Sequence, residues 1–552
     1  MLPDWAVGSH GRAVALLFVI SLLAFLPGFF QISPVDRDEA RFAQATKQMV
    51  ESGDYIDIRF QNESRYKKPI GIYWLQAGVV KAASALGVPR AHVTIGLYRI
   101  PSLAGAIGAV LLTYWSALGF VSRRAAFLAG VMMASSILLS VEARLAKTDA
   151  VLLCCCVAAM GALGRTYLVA NGIGRARHPY FLPAIFWTAL AAGSLVKGPL
   201  ILMFAALAVV TLAVTDRSSR WLGLLKPVPG VLWLVLLVLP WLVAIVMRSG
   251  TNFFAQSFGD DMLAKVGSGQ ESHGMLPGFY LVLFWVTFFP GAILAGLATP
   301  AIWKARREPG AKFLLAWIVP SWLVFEIVAT KLPHYVLPLY PAIAILIAGV
   351  VDRGGLSQRL WLVRGTVWWL LITAAITAAV LATHVIVGQQ MGLLAWPFLA
   401  GAIIFALRAW WLYGVDGGEH ALMRGAAVSV LLSMAAFGVT APGLPELFPS
   451  GQVARYLRTA GCTPAVVTAG YHEPSLVFLV GTDTVQSDGS GAADFLLAGG
   501  CRFAVVEKAA ERAFVHRAEM IGLRYSSGPR IEGFNIGTGR QVSLAIFRSD
   551  RG

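Results

Sequence analysis

Asp36, Arg37, Asp38, Glu39 and Arg41 crowd into six positions of a chain that is 57% hydrophobic. The same stretch, Ser33–Gly87, then brings Tyr55, Arg59, Arg65, Lys67 and Lys68 ahead of an amphipathic segment bearing Trp74. Carboxylates at this density can act as bases or steady a developing positive charge. Lysine and arginine beside them can hold phosphate oxygens. The cluster directly follows an apolar run, and an ionisable cluster at a membrane border is a candidate site for chemistry on an anionic, lipid-linked substrate. The structural reading of the same residues is a solvated loop with juxtamembrane helices.

Four further stretches carry chemistry-capable residues. EARLAKTDA holds Glu142, Arg144, Lys147 and Asp149 between two apolar runs; the alternative is snorkelling helix ends. KGPL puts Lys197 in a tight turn, either a ligand or an interfacial anchor. KLPHYVLPLYP combines Lys331, His334 and Tyr335 with prolines that fix a rigid entry to the next apolar run. A polar loop from Arg248 to Gly274 adds Asp260, Asp261, Lys265, Glu271 and His273. His273 and His334 offer imidazoles to a divalent metal ion, but two lone histidines in different loops form no zinc pattern. Nothing in the sequence requires a cofactor.

The scaffold for these groups is membrane-spanning. The chain has 552 residues, 13% of them charged, and a mean hydropathy of +0.68. Apolar runs approaching the roughly 20 residues needed to cross the hydrocarbon fall near 13–30, 98–120, 125–140, 150–170, 181–196, 199–215, 231–247, 278–300, 313–329, 336–351, 366–387, 394–413 and 425–440. That makes about 13 spans, an α-helical polytopic protein. The first run lacks a cleavage motif and reads as a retained anchor. Ile70–Gly87 reads as an interfacial helix on the outer face, since as a span it would hold Lys81 near mid-membrane.

With that assignment the basic loops fall on one side: Arg123 and Arg124; Arg175 and Arg177; Arg217, Arg220 and Lys226; Lys304 to Lys312; Arg353 to Arg364; and Arg424. The positive-inside bias makes that side, with the N-terminus, cytoplasmic. The chemically dense segments 31–97, 142–149, 248–277 and 330–335, with Lys197, converge on the other. The formal charge of +16 suits cytoplasmic loops and anionic lipid headgroups; no aromatic–basic array suggests nucleic acid. Residues 1–441 form the membrane domain. Residues 442–552 alternate short apolar runs with helical segments and glycine turns, a small soluble α/β domain on the outer side. Cys462 and Cys501 each precede a β-like run, so adjacent parallel strands would bring them within bridging reach. Cys154, Cys155 and Cys156 lie inside an apolar span, where a structural role is expected.

The succession DRDEARFAQATKQMVESGDY, KKPIGIYW, EARLAKTDA, KGPL and KLPHYVLPLYP resembles the polyprenyl-phosphate-sugar-dependent glycosyltransferases of the protein-mannosyltransferase-like superfamily, over roughly residues 1–340. Within it the chain is most similar to the bacterial lipid A aminoarabinose transferases. The resemblance implies a GT-C-like membrane fold with periplasmic juxtamembrane helices, in the bacterial inner membrane. It also implies transfer of 4-amino-4-deoxy-L-arabinose from undecaprenyl phosphate to lipid A phosphates, a lipopolysaccharide modification that favours polymyxin resistance. By motif, Asp38 matches the first-loop acid, with Glu39 beside it, Asp149 the second-loop aspartate, and Lys68 the lysine before the first-loop proline. Arg59, Lys67, Lys197, Arg248 and Lys331 join them as lipid-phosphate ligands on charge and side alone, with Tyr55 and Tyr335 as further donor-binding residues. Two other readings stay open: a protein O-mannosyltransferase of the same superfamily, and a lipid or solute transporter. A transporter would place its polar residues near mid-membrane, often in inverted repeats.

Overall fold

The computed structural model describes every residue except Met1, Asp36, Thr251, Phe258 and the stretches 175–177, 260–274 and 551–552. Among the described residues, eight helices are long and apolar enough to cross a membrane, from Ile95–Ala117 to Tyr413–Gly443. Phe279–Thr287 and Gly291–Ala305 form a further passage bent by 118°. Three shorter apolar helices, His10–Phe25, Phe181–Lys197 and Leu200–Asp216, and the broken pair Arg123–Ala134 and Ile137–Glu142 match the remaining apolar runs of the sequence. Ile70–Gly87 contains the helix Gly71–Ala85. Its 15 residues span about 22 Å at 1.5 Å each, short of the ~30 Å hydrocarbon.

Two packing contacts bring the charged segments together. The parallel helices Ile95–Ala117 and Asp149–Ala170 approach so closely that a Cβ on Gly105 would lie 2.8 Å from the Val151 Cα. Small residues allow such backbone approach where lipid supplies no hydrophobic drive. Ser102 then donates to the Lys147 carbonyl at 3.1 Å, which fixes the chain entering the second helix. At the other contact, Gly71 lies against the Phe181–Lys197 helix, where its Cβ would be 2.7 Å from the Leu195 carbonyl oxygen. The chain just past Lys67 and Lys68 thereby runs beside the helix end carrying Lys197.

The first charged segment folds as the helix Arg37–Ser52, a two-stranded hairpin of β1 (Arg59–Phe60) and β2 (Glu63–Ser64), and the helix Gly71–Ala85. Arg37–Ser52 is polar on average, yet it is apolar on two sides: Phe42, Ala45 and Met49 join the main core with Ile70 and Tyr73, and Ala43 joins a smaller cluster with Val80 and Phe478. The helix thereby packs on Gly71–Ala85 and on Pro474–Val480 from the tail.

The tail carries a five-stranded sheet in the order β4-β3-β5-β7-β6, with β3 Ala465–Ala469, β4 Val485–Ser487, β5 Arg502–Glu507, β6 Tyr525–Asn535 and β7 Arg540–Ser549. β3 pairs in parallel with β4 and β5; β7 runs antiparallel to β5 and β6. Along β5 the side chains alternate between two apolar clusters, Phe503 and Val505 in one, Ala504 and Val506 in the other. Both faces of the sheet are therefore covered. The parallel β3–β5 pair aligns Ala465 with Arg502, and a disulfide joins Cys462 to Cys501 across a Cα–Cα distance of 6.4 Å.

Candidate active site

The site is built outward from Glu39. Its carboxylate accepts from the backbone N–H of Val35 at 2.9 Å and of Ala146 at 3.0 Å. It is also gripped bidentately by Arg99, through Nε at 2.7 Å and Nη2 at 3.0 Å. Arg99 spends its other donors on the carbonyls of Phe29, Ile32 and Ser33. Both side chains are buried. Glu39, expected from the sequence as a catalytic acid, thus has both oxygens engaged. It joins three segments: the end of the first apolar helix, the start of Arg37–Ser52, and the 142–149 loop. Its place is that of a positioning group.

Asp38, the next residue back, is 49% exposed at its side chain, with Arg41 at 3.5 Å and Arg65 at 3.8 Å. Arg65 is mostly buried and stacks over Phe42, 5.4 Å from the ring centroid. Because Ala146 hangs on Glu39, the segment bearing Asp149 is held beside the turn that presents Asp38.

The 142–149 loop carries the second constellation. Arg144 anchors it, donating to the carbonyls of Pro27 at 2.9 Å and Ala24 at 2.6 Å and to Ser433. Asp149, opening its helix, contacts the Lys197 ammonium. His334 reaches two carboxylates: Nδ1 is 3.5 Å from Glu142 and Nε2 is 3.6 Å from Asp149. Lys147 lies 3.6 Å from the same Glu142 oxygen, and the other oxygen, Oε2, is buried with no hydrogen-bond partner. Lys197 faces the Tyr335 ring at 5.6 Å, and Tyr335 packs edge-on to His334. Asp149, Lys197, His334 and Tyr335 are all candidates by sequence, and the fold brings them together. Glu142, Lys147 and Arg65 are visible in the charged motifs but not singled out by them; nothing local marks which charges of a motif turn inward.

The donor atoms of Glu142, Asp149 and His334 lie within 4.8 Å of one another, a spacing open to a metal ion. Two ammonium groups already stand on those carboxylates, however, Lys147 on Glu142 and Lys197 on Asp149. A divalent cation would face both, so this donor set fits a metal poorly and no step is assigned to one. His273, paired with His334 in the sequence reading, lies outside the described residues, as do Asp260, Asp261, Lys265 and Glu271.

The remaining candidates divide. Arg59 and Lys67 are exposed, Arg59 with Asp57 at 3.5 Å. Lys68 is half-buried. Tyr55 accepts from the Trp74 indole through its carbonyl and carries Lys81 over its ring. Arg248, ending its helix, bridges back to Asp54 at 3.0 Å. Burial would raise the Asp54 pKa, but the N–H groups of Ile56 and Asp57 and the Arg248 guanidinium hold it below the usual carboxylate range. Lys331 is buried, its ammonium donating to the carbonyls of Glu326 at 2.9 Å and Val328 at 2.6 Å. It closes the end of the Pro309–Ile327 helix and is turned away from the role of phosphate ligand expected of it.

No family model matches the chain. The described residues thus form a multi-pass membrane fold with a buried carboxylate–imidazole–lysine cluster heading one span and a sheet domain packed against the segments around it. Proteins of similar sequence and fold are known. The chain is 28% identical over 348 residues to an undecaprenyl phosphate-alpha-4-amino-4-deoxy-L-arabinose arabinosyl transferase of Edwardsiella ictaluri, covering 62% of this chain and 59% of that one. It is 27% identical over 336 residues to the transferase of the same name from Aeromonas hydrophila, covering 58% and 57%. The match thus spans less than two thirds of these relatives' length. Across its whole length the chain adopts the fold of ArnT from Cupriavidus metallidurans, solved bound to undecaprenyl phosphate, with a TM-score of 0.74 and 98% of both chains covered at 17% identity. The apo form of that protein gives 0.72.

Proposed function

We propose that this protein transfers 4-amino-4-deoxy-L-arabinose from undecaprenyl phosphate to the phosphate groups of lipid A at the outer face of the bacterial inner membrane. The modified lipopolysaccharide would be less anionic and so favour resistance to polymyxin. The observation that carries the reading is the Glu142–His334–Asp149 cluster with Lys147 and Lys197, in a fold shared end to end with an undecaprenyl phosphate-binding protein. In the reaction the anomeric C–O bond to the lipid phosphate breaks, an acceptor phosphate oxygen forms the new bond, and undecaprenyl phosphate departs with the electron pair. An acceptor phosphate is already anionic near neutral pH, so no base need remove a proton. Asp38 and Asp149 steady positive charge at the anomeric carbon, which exists mainly in the transition state. Lys68 and Lys197, with Arg59 or Lys67 at the rim, hold the phosphate and stabilise it as it leaves. Mass spectrometry of lipid A from cells with and without the gene tests this. An added aminopentose that disappears with the gene is the expected result. Unchanged lipid A with altered secreted glycoproteins would overturn it in favour of a protein O-mannosyltransferase.

In the same reading the N-terminus lies in the cytoplasm and the sheet domain in the periplasm. Its support is the basic loops at Arg123, Arg124 and Arg353, at the far end of the helices from Asp149. Arg123→Cys and Arg353→Cys should resist a membrane-impermeant thiol reagent added to the periplasmic side; labelling of either reverses the orientation.

A further inference from the structure

The tail does not merely sit beside the membrane domain. Glu473, at the start of Pro474–Val480, accepts from Arg37 through two hydrogen bonds, Nη2 at 2.6 Å and Nε at 3.1 Å. Asn535 of β6 supports that carboxylate at 2.7 Å. Further along Arg37–Ser52 the tail continues its grip. Gln44 donates to the Thr482 hydroxyl at 2.9 Å, and that hydroxyl donates to Glu51 at 2.7 Å. The buried Lys47 ammonium donates to the Phe478 carbonyl at 3.1 Å, and Phe478 packs edge-on against Tyr98. Burial pushes the Lys47 pKa down, with Glu51 opposing the shift. The hairpin is held too: Gln61, at its turn, donates to the carbonyls of Thr482 and Thr484 and is locked to Gln48.

We infer that the Glu473–Thr484 segment of the tail is a positioning element of the active site. It fixes both the helix that presents Asp38 and the hairpin that leads to Lys67 and Lys68. Arg37 is the residue immediately before Asp38, so the Arg37–Glu473 pair sets where that carboxylate stands. A bidentate guanidinium–carboxylate pair is suited to this because it fixes orientation as well as distance. Small displacements at a reacting centre are costly in rate, so the effect should fall on kcat.

The inference rests on the transferase reading, and its test separates the two. In the purified full-length protein, Arg37→Ala and Glu473→Ala should each lower kcat about tenfold, with the donor KM within about twofold of wild type. The double variant should be no slower than either single one, because both remove the same contact. The charge exchange Arg37→Glu with Glu473→Arg should recover most of the loss. Amide hydrogen exchange across residues 37–52 should quicken in the single variants and return towards wild type in the exchange variant. Arg530→Ala, which breaks the exposed pair with Glu511 inside the sheet domain, should leave both readings unchanged. If an alanine variant fails to fold, Glu473→Gln, which keeps hydrogen bonding but not charge, should lower kcat about threefold by the same route. Wild-type kcat in both single variants, multiplicative losses in the double variant, or unaltered exchange across 37–52 would overturn the inference. A wild-type protein that transfers no aminopentose would remove the transferase reading instead, and hydrogen exchange would still decide whether the tail holds the helix.

Discussion

Asp38→Asn should lower sugar transfer by about 100-fold or more, the scale of losing one preorganised electrostatic group. The substitution keeps size and hydrogen bonding and removes only the charge. The structure makes it a clean test. Asp38 is half-exposed, and two of its contacts, with Arg41 and Arg65, are long, 3.5 and 3.8 Å. Long pairs to a half-exposed carboxylate contribute little to stability, and the asparagine oxygen still faces the mostly buried Arg65, so the folded protein should persist while turnover falls. Asp149→Asn should be as damaging to turnover but harder to read, because Asp149 is buried against Lys197 and its loss leaves a buried ammonium without its carboxylate. Glu519→Gln, on the exposed side of the Lys508–Met520 helix, is the control and should transfer at the wild-type rate. The assay is transfer in proteoliposomes, with protein level and thermal unfolding checked for each variant. Near-wild-type turnover in a well-folded Asp38→Asn protein would remove Asp38 from the chemistry and leave the fold assignment untouched.

Arg99→Leu should be the most destabilising single change, by about 3–5 kcal/mol, the range for breaking a buried ion pair and stranding its partner. Glu39 and Arg99 are 0% and 1% exposed, so bulk solvent cannot reach the carboxylate that is left behind. The double variant Arg99→Leu with Glu39→Leu removes both charges and should recover much of the stability, since apolar replacement of a buried pair is often neutral. It should not recover transfer, because the Glu39 carboxylate also receives the Val35 and Ala146 N–H groups that set the segments presenting Asp38 and Asp149. Thermal unfolding in detergent alongside the transfer assay reads both halves. An Arg99→Leu protein as stable as wild type, or a double variant with full activity, would show that the pair is dispensable.

Local properties of the chain are legible without the fold. Apolar run length fixes where helices can cross a bilayer, and each expected run has its helix. Residues 70–87 read as a surface element because of Lys81, and the helix there has only 15 residues. The alternating runs at 465–468, 502–507 and 542–547 fall within β3, β5 and β7, and the parallel β3–β5 pair carries the expected disulfide. β6 escapes the sequence reading because Gly528-Pro529 signals a turn; pairing with β7 overrides it, with a register shift between Ser527 and Arg530.

By itself, then, the sequence determined where the apolar helices lie, where strands β3, β5 and β7 run, and a short list of charged segments. Those follow from hydrophobic length, strand period and charge bias, each set by near neighbours. Only the tertiary structure decided which charges meet. Glu39 and Arg99 look no different in sequence from Asp38 and Arg41, yet the first pair is buried as a brace while Asp38 stays half-exposed. Lys331 resembles Lys197 by position, but one closes a helix end and the other stands on Asp149. His334 finds Glu142 and Asp149 across about a third of the chain, and Arg37 finds Glu473 across most of it. The reason is physical. A charge pair forms where helix packing places two side chains within a few ångströms, and that packing depends on small-residue contacts between segments far apart in sequence.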